Sequence, residues 1–183
     1  MNHRGTRRLE TGRLVLRRFV VEDAEAMFRN WASDPEVTKY LTWPAHASAE
    51  VSRAVLRDWT EAYKNQNDYQ WAIVLKEDGE SPIGSIGAVE LNEDLCIVQI
   101  GYCLGRPWWH RGIMSEALSA VIDFFFSEVG ANRIESRHDP RNPHSGRVMQ
   151  KCGMKYEGTL RSSDRNNQGI CDACWYAVLK SER

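Results

Sequence analysis

Arg106-Pro-Trp-Trp-His-Arg-Gly-Ile-Met-Ser-Glu-Ala-Leu-Ser-Ala-Val-Ile-Asp-Phe-Phe-Phe126 is the stretch on which the fold turns. Before it, Cys96 to Leu104 is uncharged, rich in Ile, Val, Tyr and Cys, and stops at Gly105, which predicts a buried strand. Within and beyond it, Leu118, Val121, Ile122, Phe125 and Val129 recur at helical spacing and predict one buried face of a helix over 115–129. Between the two, Gly112 supplies backbone that can approach a ligand with no Cβ in the way, and the first free helix amides follow at Ile113 to Glu116. Such amides, at the positive end of a helix dipole, favour an anion such as phosphate, and Arg106 and Arg111 add charge beside them. Many strand–turn–helix units carry one glycine and bind nothing, so this pattern alone leaves both readings open.

The rest of the chain bounds the class. With 183 residues, 42% hydrophobic and 27% charged, one globular domain over residues 1–183 is expected. Twenty-four Lys and Arg against 25 Asp and Glu give a net charge of −1, so nothing draws the chain to nucleic acid or an anionic membrane, and any basic site is local. Met1 to Arg8 starts basic but runs into Leu9-Glu-Thr-Gly-Arg13 without the apolar core of a secretory signal, and the longest uncharged run, 95–105, is too short to cross a bilayer. A cytoplasmic location is expected. Of five cysteines, Cys96, Cys103 and Cys152 fall in apolar strand or helix contexts, as reduced thiols do. Cys171-Asp-Ala-Cys174 has no second Cys/His pair at ligand spacing, so no metal site is expected.

In chain order, Arg13 to Phe19 alternates as a strand, Asp23 to Trp31 is a short helix burying Ala24, Met27, Phe28 and Trp31, and Ser33 to Pro44 is broken by two prolines. A helix over 49–65 carries Val51, Ala54, Val55, Leu56, Trp59 and Tyr63. Strands follow at 69–76, 83–91 and 97–104, then the 115–129 helix, a strand at 133–138, and a short helix at 145–151 ended by Cys152-Gly153. Two last strands, 154–161 and 173–179, flank a polar loop, Ser162 to Gly169. This is α/β architecture: a mixed sheet of about seven strands flanked by about four helices.

These motifs resemble the GNAT superfamily of N-acetyltransferases, and within it the ribosomal-protein N-terminal acetyltransferase group. Ile100-Gly-Tyr-Cys-Leu104 followed by Trp109-His-Arg-Gly-Ile-Met-Ser-Glu-Ala117 occupies the place of the superfamily's Gln/Arg-x-x-Gly-x-Gly/Ala motif. Asn142-Pro-His-Ser145 with Val148-Met-Gln-Lys-Cys-Gly-Met-Lys-Tyr-Glu-Gly158 is similar to the group's second motif, and Arg13 to Arg17, Asp34-Pro-Glu-Val37 and Trp71-Ala-Ile73 follow suit. Trp109 and Met114 depart from the first motif, and Gln99 stands where related proteins often carry Glu.

The resemblance implies acetyl-CoA as co-substrate, no metal, and a primary amine as acceptor, most of all a protein N-terminus, in an enzyme acting as monomer or homodimer. It implies cofactor contacts from Tyr102, Cys103, Leu104, Arg106, His110, Arg111, Gly112, Ile113, Met114, Ser115, Asn142 and Lys151. Ser145 is expected either to protonate the departing thiolate or to cap its helix. Asp164 or Glu90 is expected to assist as base, or else to be a solvated carboxylate. Tyr40, Trp43 and Trp71 line the acceptor site or belong to the core, and Trp108-Trp109 carries the same ambiguity. Two rival functions stay open: acetylation of a small amine such as a polyamine, aminoglycoside or amino acid, and a non-catalytic acyl-CoA-binding module.

Overall fold

The computed structural model describes residues 1–183. Its strands are β1 (Leu9–Glu10), β2 (Leu14–Arg17), β3 (Gln70–Leu75), β4 (Pro82–Asn92), β5 (Ile97–Leu104), β6 (Arg133–His138), β7 (Lys155–Asn166) and β8 (Gly169–Leu179). They form one eight-stranded sheet in the order β1-β2-β3-β4-β5-β6-β8-β7. The helices are α1 (Ala24–Met27), α2 (Pro35–Thr38), α3 (Ala49–Ala62), α4 (Ile113–Phe124) and α5 (Pro143–Lys151). α1 and α4 each end in a π-helical turn, Phe28–Ala32 and Phe125–Val129.

Every strand pairing is antiparallel except β5 with β6, which the α4 crossover makes parallel. That pairing lasts only for Ile97, Val98 and Gln99 against Arg133, Ile134 and Glu135. Ser136 Oγ then donates to the Ile100 carbonyl at 2.7 Å, and beyond it no strand lies beside Gly101–Leu104 on that side. The sheet is therefore split at its centre. One core, with Leu118, Val121, Ile122, Phe125 and Val129 fully covered, packs α4 on one face. A second, built on Phe19, Met27, Trp31 and Leu56, fills the other.

Five expectations need correction. The strand expected over Arg13 to Phe19 is β2, and ahead of it lies an unexpected two-residue strand, β1, paired with Val15 and Leu16 and too short to show alternation. α2 lies within the stretch broken by prolines, because Asp34 caps it, accepting from the Glu36 amide at 3.0 Å, and Pro35 starts it. The polar loop Ser162 to Gly169 is not a loop: β7 runs to Asn166 and β8 starts at Gly169, whose φ of 98° makes the tight turn. Register shifts at Tyr156/Gly158 and Leu160/Asp164 break its alternation, and the strand is exposed along nearly its whole length. Val51 and Ala54 face solvent rather than core, and Cys96 sits in the turn before β5 with φ of 51°.

Candidate active site

The split sheet opens into a cavity of about 470 Å³ between the end of β5, the start of α4, α5 and the segment around α2. Gly112 stands at the N-cap of α4 with φ of 73° and ψ of 4°, a left-handed conformation that glycine adopts at least cost. The amides of Ile113 to Ser115 follow, and all three residues line the cavity. Behind this turn, Glu116 accepts from the Arg13 amide (2.9 Å), the Arg13 guanidinium (2.7 Å) and Thr11 Oγ1 (2.5 Å), while Arg13 Nη1 donates to the Arg111 carbonyl at 3.0 Å. Burial would raise the Glu116 carboxyl, but these donors outweigh it and hold it below its ordinary value. The turn is thus braced against β2.

Opposite the turn, one face of α5 carries His144, Arg147 and Lys151 into the cavity at helical spacing. The His144 ring meets that of His110 edge-to-face at 4.7 Å between centroids. Lys39 and Arg141 add charge from the α2 segment and the β6–α5 connection, so four cations and a single carboxylate, Glu36, line the cavity. Lys39, Arg147 and Lys151 have no ion-pair partner. An anionic ligand with more than one charged group suits such a lining.

At the bottom of the split, the Tyr102 hydroxyl donates to the Ser145 carbonyl at 2.9 Å and Ser145 Oγ donates to Tyr102 Oη at 3.1 Å. Burial pushes the Tyr102 phenol above its ordinary range, so it stays a donor at any physiological pH. Ser145 is the third residue of α5 and Asn142 its N-cap, so the capping role for Ser145 is excluded. Cys103 Sγ lies 3.3 Å from Ser85 Oγ, its thiol pushed up by burial.

Of the expected cofactor residues, Tyr102, Cys103, Leu104, His110, Gly112, Ile113, Met114, Ser115, Asn142 and Lys151 line this cavity, as do Ser145 and Tyr40. Arg106 and Arg111 do not. The Arg106 guanidinium is paired with Asp34, and Arg111 contributes its carbonyl to Arg13. Trp71 is fully buried, its Nε1 donating to the Arg7 carbonyl at 2.6 Å and its ring edge-on to Phe124, so it belongs to the core. Trp43 packs beside the second core and does not line the cavity. Trp108 and Trp109 both line it, and Trp109 Nε1 donates to the Leu104 carbonyl at 2.7 Å.

Neither expected base reaches the cavity. Asp164 lies on β7, where burial raises its carboxyl but donors from Arg137 (2.6 Å) and the Arg165 amide (2.8 Å) hold it below its ordinary value. Glu90 is exposed on β4, opposite Gln99 and just past the bulge in that strand. Glu36, Lys39, Arg141, His144 and Arg147 are cavity residues that the sequence reading did not single out. The spacing of His144, Arg147 and Lys151 along one helix face was their visible signal.

With the braced turn, the split strand and the cation-lined cavity described, comparison with known proteins decides the family. Residues 13–155 match the acetyltransferase (GNAT) domain model. The chain belongs to the GNAT acetyltransferases. It is 32% identical to the uncharacterized N-acetyltransferase p20 of Bacillus licheniformis over 95% of this chain and 97% of that one. A shorter match, 34% identical over 32% of this chain and 30% of the relative, is to the ribosomal protein uS5-alanine N-acetyltransferase of Escherichia coli. The crystal structure of a GNAT-family acetyltransferase from Bacillus anthracis superposes with a TM-score of 0.83 at 26% identity, over 96% of this chain and all of that one. RimL, a ribosomal-protein α-N-acetyltransferase solved in complex with coenzyme A, shares the fold at a TM-score of 0.83 and 18% identity, over 94% of this chain and 98% of its own. This GNAT protein is an acetyl-CoA-dependent acyltransferase, which removes the non-catalytic alternative. Gln99, the residue that kept that alternative open, is buried at 6% exposure and lines no part of the cavity.

Proposed function

We propose that this acetyltransferase modifies the N-terminal α-amine of a protein, in the cytoplasm, as a monomer or homodimer whose residues 1–183 work as one unit. The observation that carries the acceptor class is the charge of the acceptor wall: Glu36 is its one carboxylate, beside an unpaired Lys39 and an Arg141 already paired with Asp139. A polyamine or an aminoglycoside brings several positive charges and would find one unpaired carboxylate, Glu36, next to the unpaired Lys39, whereas a peptide N-terminus brings one charge. Relatives named for ribosomal-protein acetylation point the same way. An α-amine, with a pKa of about 7.7–8.0 against about 10.4 for lysine, is also the amine more often neutral near pH 7.

The residues present suit acetyl-CoA, which supplies the activated acetyl group as a thioester. The amides of Ile113 to Ser115, with His144, Arg147 and Lys151, bind the phosphates. Gly101–Leu104, lacking a strand neighbour on the β6 side, and Asn142 hold the extended arm in the split. Ser145, oriented by Tyr102, gives its hydroxyl proton to the departing sulfur. The deciding experiment is acetyl-CoA turnover with Ala- and Ser-starting peptides, their N-terminally blocked forms, polyamines and aminoglycosides. Turnover confined to free N-termini is expected; equal rates on blocked lysine-containing peptides, or preference for a small amine, would overturn the acceptor assignment.

A further inference from the structure

We propose that Glu36 takes the proton from the acceptor's ammonium group. The inference rests on amine acetylation in this cavity and adds the residue that makes the amine a nucleophile. Glu36 is the one carboxylate that lines the cavity. Its neighbours Asp34 and Asp139 are engaged elsewhere, Asp34 with Arg106 and Asp139 with Arg141 (2.6 Å) and Asn166 (2.8 Å). Its own side chain meets no cation, and only its backbone N–H is used, toward Asp34 Oδ1 at 3.0 Å. An entering ammonium group therefore finds one free anionic partner.

The backbone that carries that partner is held at both ends. At the start of α2, Asp34 caps the helix and pairs with Arg106, which follows β5 directly and so ties Glu36 to the cofactor side of the cavity. At the far end, Asn167, in the β7–β8 turn, donates from Nδ2 to the carbonyls of Thr38 (2.8 Å) and Trp43 (2.7 Å), and its amide donates to the Leu41 carbonyl (3.1 Å). A wall held this way keeps the Glu36 backbone beside the cavity, within side-chain reach of an entering amine.

The proton balance closes. Glu36 receives the first ammonium proton and, being exposed, passes it to solvent. The freed nitrogen bonds to the acetyl carbonyl carbon while the carbon–sulfur bond breaks. Ser145 protonates the sulfur, and the second nitrogen proton restores the Ser145 hydroxyl. The products are amide, thiol and one solvated proton.

The test compares wild type, Glu36→Gln and Glu36→Asp on whichever amine of the panel turns over best. Glu36→Gln is expected to lower kcat at pH 7 by about 10²–10⁴-fold, the range for a lost general base, with coenzyme A affinity by calorimetry unchanged. Glu36→Asp recovers part of the rate. At pH 9.5 an α-amine of pKa about 7.7–8.0 is already neutral in bulk, so the deficit shrinks there. The other charged or titratable groups lining this cavity or bracing its wall are Lys39, Tyr40, Tyr102, Cys103, His110, Arg141, His144, Arg147, Lys151 and the Asp34–Arg106 pair; all are shared by the three proteins compared. Unchanged kcat in Glu36→Gln, or a deficit that is flat with pH, overturns the role of Glu36 while leaving amine acetylation standing. A wild type that binds acetyl-CoA yet acetylates no amine defeats both.

Discussion

Ser145 is read from sequence either as a helix cap or as a proton donor, and the structure removes the cap. Serine near the start of a helix is a preferred cap, but here Pro143 opens α5, Asn142 occupies the cap, and the Ser145 hydroxyl turns toward Tyr102 in the split of the sheet. Ser145→Ala is therefore expected to lower kcat by about 10²–10⁴-fold with coenzyme A affinity held. Its melting temperature should fall by far less than the roughly 1 kcal/mol of a lost cap implies. Gly112 makes a second residue-scale case. A Cβ there would meet only Arg13 Nη2 at 3.6 Å, so space is not the constraint and the positive φ is. Gly112→Ala should cost roughly 1–2 kcal/mol of stability and loosen coenzyme A binding, both visible in one thermal-shift titration. The glycine and the strand and helix around it were legible in the sequence because local geometry alone demands them. The missed base was not, because which carboxylate reaches a cavity is settled by tertiary pairing: Asp164 faces Arg137, and Glu36 faces nothing.

Among the elements, the α2 segment is the one whose meaning changed most between sequence and structure. Two prolines and mixed polarity suggested irregular chain, yet Asp34-Pro35 is a helix start that capping rules recognise, and the cavity wall depends on it. Arg106, expected to contact phosphate from its place beside the glycine turn, is spent on Asp34 instead. The two roles predict opposite kinetics. A phosphate ligand replaced by alanine weakens coenzyme A; a brace replaced by alanine loosens the acceptor wall. Arg106→Ala is accordingly expected to raise the acceptor KM several-fold while calorimetry finds coenzyme A affinity within about twofold of wild type, and the reverse split would restore the phosphate role. Asn167→Ala removes the opposite anchor and should act in the same direction, more strongly, since two side-chain hydrogen bonds to carbonyls are lost. That anchor was invisible in sequence. It lies in a stretch whose polarity resembles a loop, and its partners are more than 120 residues away.

At the scale of the whole molecule, the split sheet is tied together on its β6 side by carboxylates that must stay ionised. The hydrogen bonds of Arg141, set against burial and joined by Asn166, hold the Asp139 carboxyl far below its ordinary value. Arg133 lowers Glu157 between β6 and β7, and Arg137 outweighs burial at Asp164. A carboxyl whose folded pKa lies below its unfolded one stabilises the fold fully above the unfolded value, about 3.9 for Asp and 4.3 for Glu, and loses that contribution as pH falls toward the folded value. Phenols work in the opposite sense. Tyr63 is pushed up to about 12 by burial, so its contribution is present below its unfolded pKa of about 10 and lost as pH rises toward 12. The melting temperature is therefore expected to be level between about pH 7 and pH 8: burial lowers the His46 imidazole, so stability already falls below about pH 6.5, and burial raises the Cys103 and Cys152 thiols, so it falls again above about pH 8.5. Asp139 has a buried carboxylate that joins the end of β6 to Asn166 of the β7–β8 hairpin, so it should dominate the acid limb. Asp139→Ala, by leaving the Arg141 and Asn166 donors without their acceptor, is expected to cost about 1–3 kcal/mol at pH 7 and to flatten the decline below pH 4. Thermal melts of wild type and Asp139→Ala at pH 7, 4 and 3 measure both effects. Parallel acid limbs in the two proteins would show that the closure of the molecule on the β6 side does not depend on this charge.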